Sequence, residues 1–230
     1  MSETKKLFFI AGENSGDQPA GKVIREILRS RPHWKVEGLG GERMEEAGML
    51  LKRNMVNDLA IVGFFEVLQK APQIWKVWRM VKRYLEEERP DAVVCVDYPG
   101  FNLKLVAPYA HQLGIPVIYY IIPTFWAWHY DRVYKIKEYC DKVYPVFPFE
   151  EKMLENEGID AEFLGSKDLD LIVITMTREQ VFEHFGFDTN KKLIGLLPGS
   201  RKREVNALLP IMLEAAQRLY EERDDVQFVL

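Results

Sequence analysis

Asp91-Ala92-Val93-Val94-Cys95-Val96-Asp97-Tyr98-Pro99-Gly100-Phe101-Asn102 decides the fold. Ala92–Val96 is apolar without interruption and rich in β-branched residues, the pattern of a strand buried on both faces of a parallel sheet. Asp97 follows at once, and a Tyr-Pro-Gly turn follows Asp97. In an open α/β sheet, ligands collect beyond the carboxyl ends of the strands. A carboxylate there is either a candidate general base or the cap of a turn or of the helix that starts near Leu103.

The flanking chain repeats the strand-helix rhythm. Leu7–Ala11 reads as the first strand and Gly12-Glu13-Asn14-Ser15-Gly16-Asp17 as a turn. A helix over Gln18–Arg31 follows, with Val23, Ile24, Ile27 and Leu28 on one face and Ser15 or Asp17 as its cap. Trp34–Leu39 is a strand broken by Gly40-Gly41, and a short helix holds Met44 and Ala47. Val62–Glu88 has helical spacing but contains Pro72, which lacks a donor and clashes with the preceding turn; two helices are expected, with Pro72 near the start of the second. Strands at Val117–Tyr120, Val143–Val146 and Glu162–Leu164 alternate with helices at Leu103–Leu113, Arg132–Tyr139 and Glu150–Glu157. That alternation predicts the α/β class and a Rossmann-like, doubly wound parallel sheet.

Gly165–Thr177 reads as a passage between domains. Beyond it come a helix to Phe185 capped by Thr177, a strand at Lys192–Leu197, the loop Pro198-Gly199-Ser200, a helix over Arg201–Glu222 with Pro210, and a strand at Val226–Leu230. The expected division is 1–168 and 169–230, the second part being the start of another Rossmann-like domain. Two parallel strands leave faces and edges uncovered, so the chain is expected to be the front of something longer.

Composition narrows the function. At 230 residues and 47% hydrophobic, the chain can bury a large core, and its net charge of -4 gives no general attraction to nucleic acid. Its two cysteines, Cys95 and Cys140, form no Cys-x-x-Cys pair, as in a reduced, cytosolic protein without structural zinc. The apolar run before Gly12 is too short for a signal peptide, and no run reaches the roughly 18 apolar residues of a membrane span. No His-x-x-x-His pair occurs, so no metal and no cofactor is inferred.

Several motifs point to ligands. Gly16-x4-Gly21-Lys22 imitates a P-loop, but Val23 replaces the magnesium-binding hydroxyl and Pro19 removes an N–H from the cradle. Glu13 at that helix start suits sugar hydroxyls better than bare phosphate. Pro198-Gly199-Ser200-Arg201 is a strand-to-helix loop where a diphosphate could sit, with Glu204 placed to pair with Arg201, or else an ordinary start capped by Ser200. Between Gln69 and Arg83 the charges are Lys70, Lys76, Arg79, Lys82 and Arg83, all basic, beside a wide apolar stripe that includes Phe64, Phe65, Leu68, Trp75 and Trp78. That is an interfacial membrane helix, or a core helix with a solvated basic face. Trp126 and Trp128 follow the Val117–Tyr120 strand and either stack on a sugar or acyl chain or pack as an aromatic corner.

Taken together, six short motifs in order resemble the lipid-A-disaccharide synthase family of inverting GT-B glycosyltransferases. They are Ala11-Gly12-Glu13-Asn14-Ser15-Gly16-Asp17, Gly38-Leu39-Gly40-Gly41-Glu42-Arg43-Met44, Ile61-Val62-Gly63-Phe64-Phe65-Glu66-Val67-Leu68, Val96-Asp97-Tyr98-Pro99-Gly100-Phe101-Asn102, Trp126-Ala127-Trp128, and Leu197-Pro198-Gly199-Ser200-Arg201 with Glu204-Val205. The resemblance implies transfer of a 2,3-diacylglucosamine from UDP to the 6-hydroxyl of 2,3-diacylglucosamine 1-phosphate (lipid X), giving a β-1,6 disaccharide and UDP. It implies Asp97 as catalytic base, and Glu13, Asn14, Ser15, Gly16, Asp17, Asn102, Trp126 and Arg132 as substrate contacts. Gly199, Ser200, Arg201 and Glu204 fall to the nucleotide sugar, and Phe64, Phe65, Leu68, Trp75 and Trp78 to the membrane. The partners implied are the two acylated substrates, an anionic inner-membrane surface reached from the cytoplasm, and a second copy of the chain where a C-terminal part is present. The sequence departs from the family at Ile122-Pro123-Thr124-Phe125, at His129, where arginine is usual, and at Gly165-Ser166-Lys167-Asp168. A non-catalytic membrane-binding fragment and a GT-B-like nucleotide-sugar epimerase are the alternatives.

Overall fold

The computed structural model describes residues 4–56, 64–166, 172–199 and 202–230, with the backbone alone for 64–70. The chain forms two compact units, Met1–Leu169 and Asp170–Leu230. In the first, chain order is Lys6–Ala11 (β1), Asn14–Ser30 (α1), Lys35–Gly40 (β2), Glu42–Glu46 (α2), Leu50–Asn54 (β3), Phe64–Glu88 (α3) and Ala92–Val96 (β4). Then follow Pro99–Phe101 (α4), a π-helical turn at Asn102–Val106, Ala107–Gln112 (α5), Val117–Tyr120 (β5), Asp131–Tyr139 (α6), Lys142–Tyr144 (β6) and Pro148–Asn156 (α7). The second unit holds Arg178–Phe185 (α8), Lys192–Gly195 (β7), Lys202–Glu222 (α9) and Val226–Val229 (β8).

The six strands of the first unit run in the order β3-β2-β1-β4-β5-β6, and each neighbouring pair is parallel. This is the doubly wound, Rossmann-like sheet expected. The order turns back between β1 and β4, whose last residues pair as Ala11↔Val96. Side chains alternate between faces along a strand, so β1 and β4 feed two cores. Phe8, Ile10, Val93 and Cys95 pack with α3, α5 and α6 through Val81, Leu85, Ala110 and Ile136. Phe9, Ala11, Val94 and Val96 pack with α1 and α2 through Ala20, Ile24 and Met44. Every residue of β4 is buried, as its unbroken apolar run requires. On the second face, a groove of about 350 Å³ remains where Phe9, Val94, Ile118, Tyr120 and Tyr144 meet Ile27 and Leu164.

Four expectations need correction. Pro72 does not split the helix: Phe64–Glu88 is continuous. Pro72 is exposed, and burial of Val77, Val81 and Leu85 holds the helix despite the forfeited bond. Glu162–Leu164 is not a strand; only the bridge Val143↔Ala161 forms. The Phe163 N–H is taken by Glu151 Oε1 at 2.9 Å, which removes a donor from the ladder. Helix α1 begins four residues early, at Asn14, with Glu13 extended before it, so neither Ser15 nor Asp17 caps it. The segment predicted as one helix from Leu103 starts at Pro99 and passes through the π turn. The edge strand β3 was not anticipated, because Lys52 and Arg53 interrupt its apolar pattern.

In the second unit, β7 and β8 pair in parallel from Lys192↔Val226 to Gly195↔Val229. Thr177 caps α8 as expected, accepting the Gln180 N–H at 3.3 Å, and Gly186 closes that helix in the left-handed conformation. Helix α9 runs through Pro210 and has no buried residue. Leu208, Ile211, Leu213 and Tyr220 stand exposed. No helix among the described residues is long and apolar enough to cross a membrane.

Candidate active site

The loops after β1 and β4 leave the sheet from one rung, at the point where the winding reverses. That crevice is where open α/β sheets bind ligands. Asp97 stands in it, half-buried. Its Oδ2 accepts the Ser15 hydroxyl at 3.1 Å, and no other group among the described residues donates to its carboxylate. Among the described residues its carboxylate accepts no backbone N–H of the turn or of α4, so Asp97 does not act as a cap there.

The backbone at the site is strained. Asp97 and Tyr98 have φ of 46° and 50°, and Ile121 and His129, beyond β5, have 60° and 67°. All positive-φ residues other than glycine among the described residues, except Arg89, lie along this carboxyl edge. Such conformations persist only where surroundings over-determine them, and they gather at functional sites. The surroundings here are explicit. The Asp97 carbonyl accepts the Tyr119 hydroxyl at 2.7 Å and Asn102 Nδ2 at 2.9 Å. Asn102 Nδ2 also reaches the carbonyls of Ile10 and Val96, each at 3.3 Å. The Tyr98 ring lies over Gly12, where a Cβ would come within 2.4 Å of it. Glycine at position 12 is thus required by the close approach of Tyr98, whose phenol is pushed up by burial and then by the Glu13 carboxylate.

The expected substrate contacts divide into two sets. Glu13, Asn14 and Ser15 are exposed in the first turn of α1 or just before it. Gly16 and Asp17 are buried. A Cβ on Gly16 would lie 3.2 Å from Val96 Cγ1. The Asp17 carboxylate accepts the backbone N–H groups of Gly41, Arg43 and Met44 at 2.8, 3.1 and 3.2 Å, so it is buried and anchors the start of α2. Asn102, fully buried, is likewise a staple of the Asp97 backbone and not a surface contact. The resemblance gives both residues to the substrate, and packing turns both inward here.

Trp126 and Arg132 stand in the loop and helix after β5. Trp126 is 43% exposed, and its Nε1 donates to the buried Glu150 at 2.9 Å. Its ring meets Phe149 edge-on at 5.2 Å. Arg132 is fixed by donating to the Thr124 carbonyl at 2.9 Å. Burial holds the Tyr119 phenol well above its usual range, Asp97 adds to that and Arg132 opposes it, so both charges act on the hydroxyl that pins Asp97. Between the Pro99-Gly100 turn and α6 lies a cleft of about 370 Å³ lined by Lys104, His129, Asp131, Arg132 and Lys135. Of these only Arg132 was expected as a substrate contact, and His129 stands where arginine is usual in the family. The others come from two stretches far apart in sequence, and nothing in either stretch alone signals a cleft.

Trp78 corrects the membrane strip. Its ring packs edge-on against Tyr109 at 5.5 Å and Phe101 at 6.3 Å, so it belongs to the core face of α3 with Ile74, Val77 and Val81. Trp75 is 57% exposed on the other side, beside exposed Lys76 and Arg79. The side chains of Phe64, Phe65 and Leu68 lie outside the described residues. In the second unit Gly199 has φ of 103°, and a Cβ there would come within 2.7 Å of Glu204 Oε2. Ser200 and Arg201 lie outside the described residues.

A family model described as lipid-A-disaccharide synthetase matches residues 7–230. Lipid-A-disaccharide synthase of Coxiella burnetii (strain Dugway 5J108-111) is 38% identical over 226 residues, covering 98% of this chain and 60% of that protein. The synthase of Trichlorobacter lovleyi is 40% identical over 232 residues, covering 100% and 60%. This chain thus spans about 60% of the length of these curated relatives. A solved UDP-N-acetylglucosamine 2-epimerase superposes with a TM-score of 0.59 at 14% identity, over 98% of this chain and 63% of that one. At that identity the likeness carries the fold alone, that of the GT-B class. By the extent of the family match and the identity to its members, the chain belongs to the lipid-A-disaccharide synthetase family.

Proposed function

We propose that the chain is the acceptor-side part of a glycosyltransferase that joins two acylated glucosamines. The donor is UDP-2,3-diacylglucosamine and the acceptor 2,3-diacylglucosamine 1-phosphate. The observation that carries this reading is Asp97 at the winding reversal, with Ser15 on one carboxylate oxygen and the other oxygen without a donor among the described residues. A base must come within hydrogen-bond reach of the hydroxyl it deprotonates. Asp97 takes the proton of the acceptor 6-hydroxyl as that oxygen attacks the donor's anomeric carbon. The bond to UDP breaks as the new one forms, UDP leaves with the electron pair, and the configuration inverts. Ser15 orients the carboxylate, Glu13 and Asn14 meet sugar hydroxyls, and Trp126 offers a ring face.

The loop at Gly199, with Ser200, Arg201 and Glu204, takes the donor diphosphate in a nucleotide-sugar domain that this chain begins. The outer face of α3, with Trp75, Lys76 and Arg79, rests on an anionic bilayer surface from the cytoplasmic side and admits both lipids. Where a C-terminal part is present, two copies form a homodimer.

The test is a chimera carrying residues 1–230 ahead of the remaining length of the Trichlorobacter lovleyi relative, assayed for disaccharide by mass spectrometry. Asp97→Asn is expected to lower turnover by about 10² to 10⁴ with the fold intact. Turnover within a few-fold of the parent chimera would sink the base assignment.

A further inference from the structure

We propose that the cleft between the Pro99-Gly100 turn and α6 is a phosphate-monoester subsite, and that it holds the 1-phosphate of the acceptor. This rests on the reading of Asp97 as base and adds to it the group that positions the acceptor. Lys104, Arg132 and Lys135 line the cleft with His129, and Asp131 is the one acid among the lining residues. Asp131 lies 3.7 Å from His129 Nδ1. Lys104 and Lys135 make no ion pair among the described residues, whereas Lys6, Lys52 and Lys142 each do. The chain as a whole is acidic, so three cations against one acid around a single cleft beside a candidate base make a local site that suits an anion.

The local backbone builds this knot. The π turn at Asn102–Val106 presents Lys104, and such turns gather at functional sites. Arg132 is already fixed by the Thr124 carbonyl, so its fork needs little ordering to bind. A phosphate monoester is dianionic with three terminal oxygens, and three cations of this kind match it better than they match a singly charged diester. The cleft, about 370 Å³, falls within the range of small-ligand sites. Its wall begins at Pro99, two residues after Asp97, so an acceptor held there by phosphate presents its sugar toward the base.

The experiment titrates this 230-residue chain with glucosamine 1-phosphate, glucosamine and inorganic phosphate, followed by NMR amide shifts. Glucosamine 1-phosphate is expected to shift residues 99–104 and 129–135 and to bind at least about tenfold tighter than glucosamine, more weakly at high salt. The double variant Lys104→Gln, Lys135→Gln is expected to lose at least about tenfold in affinity. Gly100→Asp gives a second handle, since a Cβ there meets no atom within 4 Å and the carboxylate enters open space beside the cleft. It too should weaken glucosamine 1-phosphate and leave glucosamine unaffected. Equal binding of glucosamine, shifts outside these two stretches, no shift at millimolar ligand, or undiminished binding by the double variant would each overturn the subsite. Inorganic phosphate binding as tightly as glucosamine 1-phosphate, or vesicles of phosphatidylglycerol competing equally well with it, would overturn the assignment to the acceptor. In the chimera, the lysine pair should raise acceptor KM while Asp97→Asn lowers kcat. An unchanged KM sinks the subsite alone, and an insensitive kcat sinks the base alone.

Discussion

At Asp97 and Tyr98 two consecutive left-handed residues each cost about 1–3 kcal/mol, and the Asn102 amide is the part that makes them tolerable. Its Nδ2 faces three carbonyls, those of Ile10, Val96 and Asp97, while its Oδ1 has no donor among the described residues. Replacing that amide by a carboxylate would aim a buried charge at three carbonyl dipoles. Asn102→Asp is therefore expected to destabilise by about 3 kcal/mol or more, and Asn102→Leu by less, since Leu adds no charge though it strands the carbonyls. Urea unfolding at neutral pH checks the order. A carboxylate variant as stable as the leucine variant would mean that the amide does not carry the turn. The sequence made Asp97 visible, because it follows an unbroken apolar strand. It hid the division of labour around it: Asp17 and Asn102 belong to the same motifs as Ser15 and Asp97 but point inward, and only packing determines direction.

Among the elements, β2, β3 and α3 meet at Glu37. Its carboxylate accepts Lys52 Nζ at 2.8 Å and the Tyr84 hydroxyl at 3.0 Å, and Tyr84 stacks on Phe8 at 4.2 Å. Burial pushes the Glu37 carboxyl up, but Lys52 and Tyr84 together pull it further down, so its folded pKa lies below the ordinary value. A depressed carboxylate contributes stability that is present above the unfolded pKa and is lost as pH falls through the folded one. Asp91, lowered chiefly by the Lys6 N–H, has the same sign. Stability is thus expected to drop as pH falls from the ordinary carboxylate range to below it, and Glu37→Gln to flatten part of that limb. The double change Glu37→Gln, Asp91→Asn should flatten it further. Urea midpoints from neutral to acid pH provide the reading, and an acid slope unaltered in both variants would remove these two groups from the account. The strands and the helix alternation were legible because burial on both faces leaves an unbroken apolar run. Missed elements share a cause: at β3, at Glu162–Leu164 and at Pro72, a tertiary partner decides against the local pattern. Lys52 of β3 finds Glu37, the Phe163 N–H finds Glu151, and the inward face of α3 outweighs one lost bond.

Over the whole molecule, the two units differ in how fully their sheets are covered. In the first unit, β1 and β4 lie between two helical layers, and the residues Phe8, Ile10, Val93 and Cys95 are all but inaccessible. Among its described residues the second unit has two strands and two helices, α9 buries no residue, and four large apolar side chains of α9 face water. Its capped α8 and the ring contacts of Phe182, Phe185 and Phe187 provide local order, yet little apolar surface is withdrawn from solvent. Local opening free energy follows buried contacts, so amide protection should be graded accordingly. Hydrogen exchange on this chain is expected to leave the β1, β4 and β5 amides protected at least about a hundredfold more than those of β7 and β8. In the chimera of relative-length chain, added strands should cover the β7–β8 pair, and its protection should rise while that of β1 and β4 stays as it was. Equal protection in both units of the 230-residue chain would show that β7, β8 and α9 already close a core of their own, and the second unit would then have to be read as a finished domain.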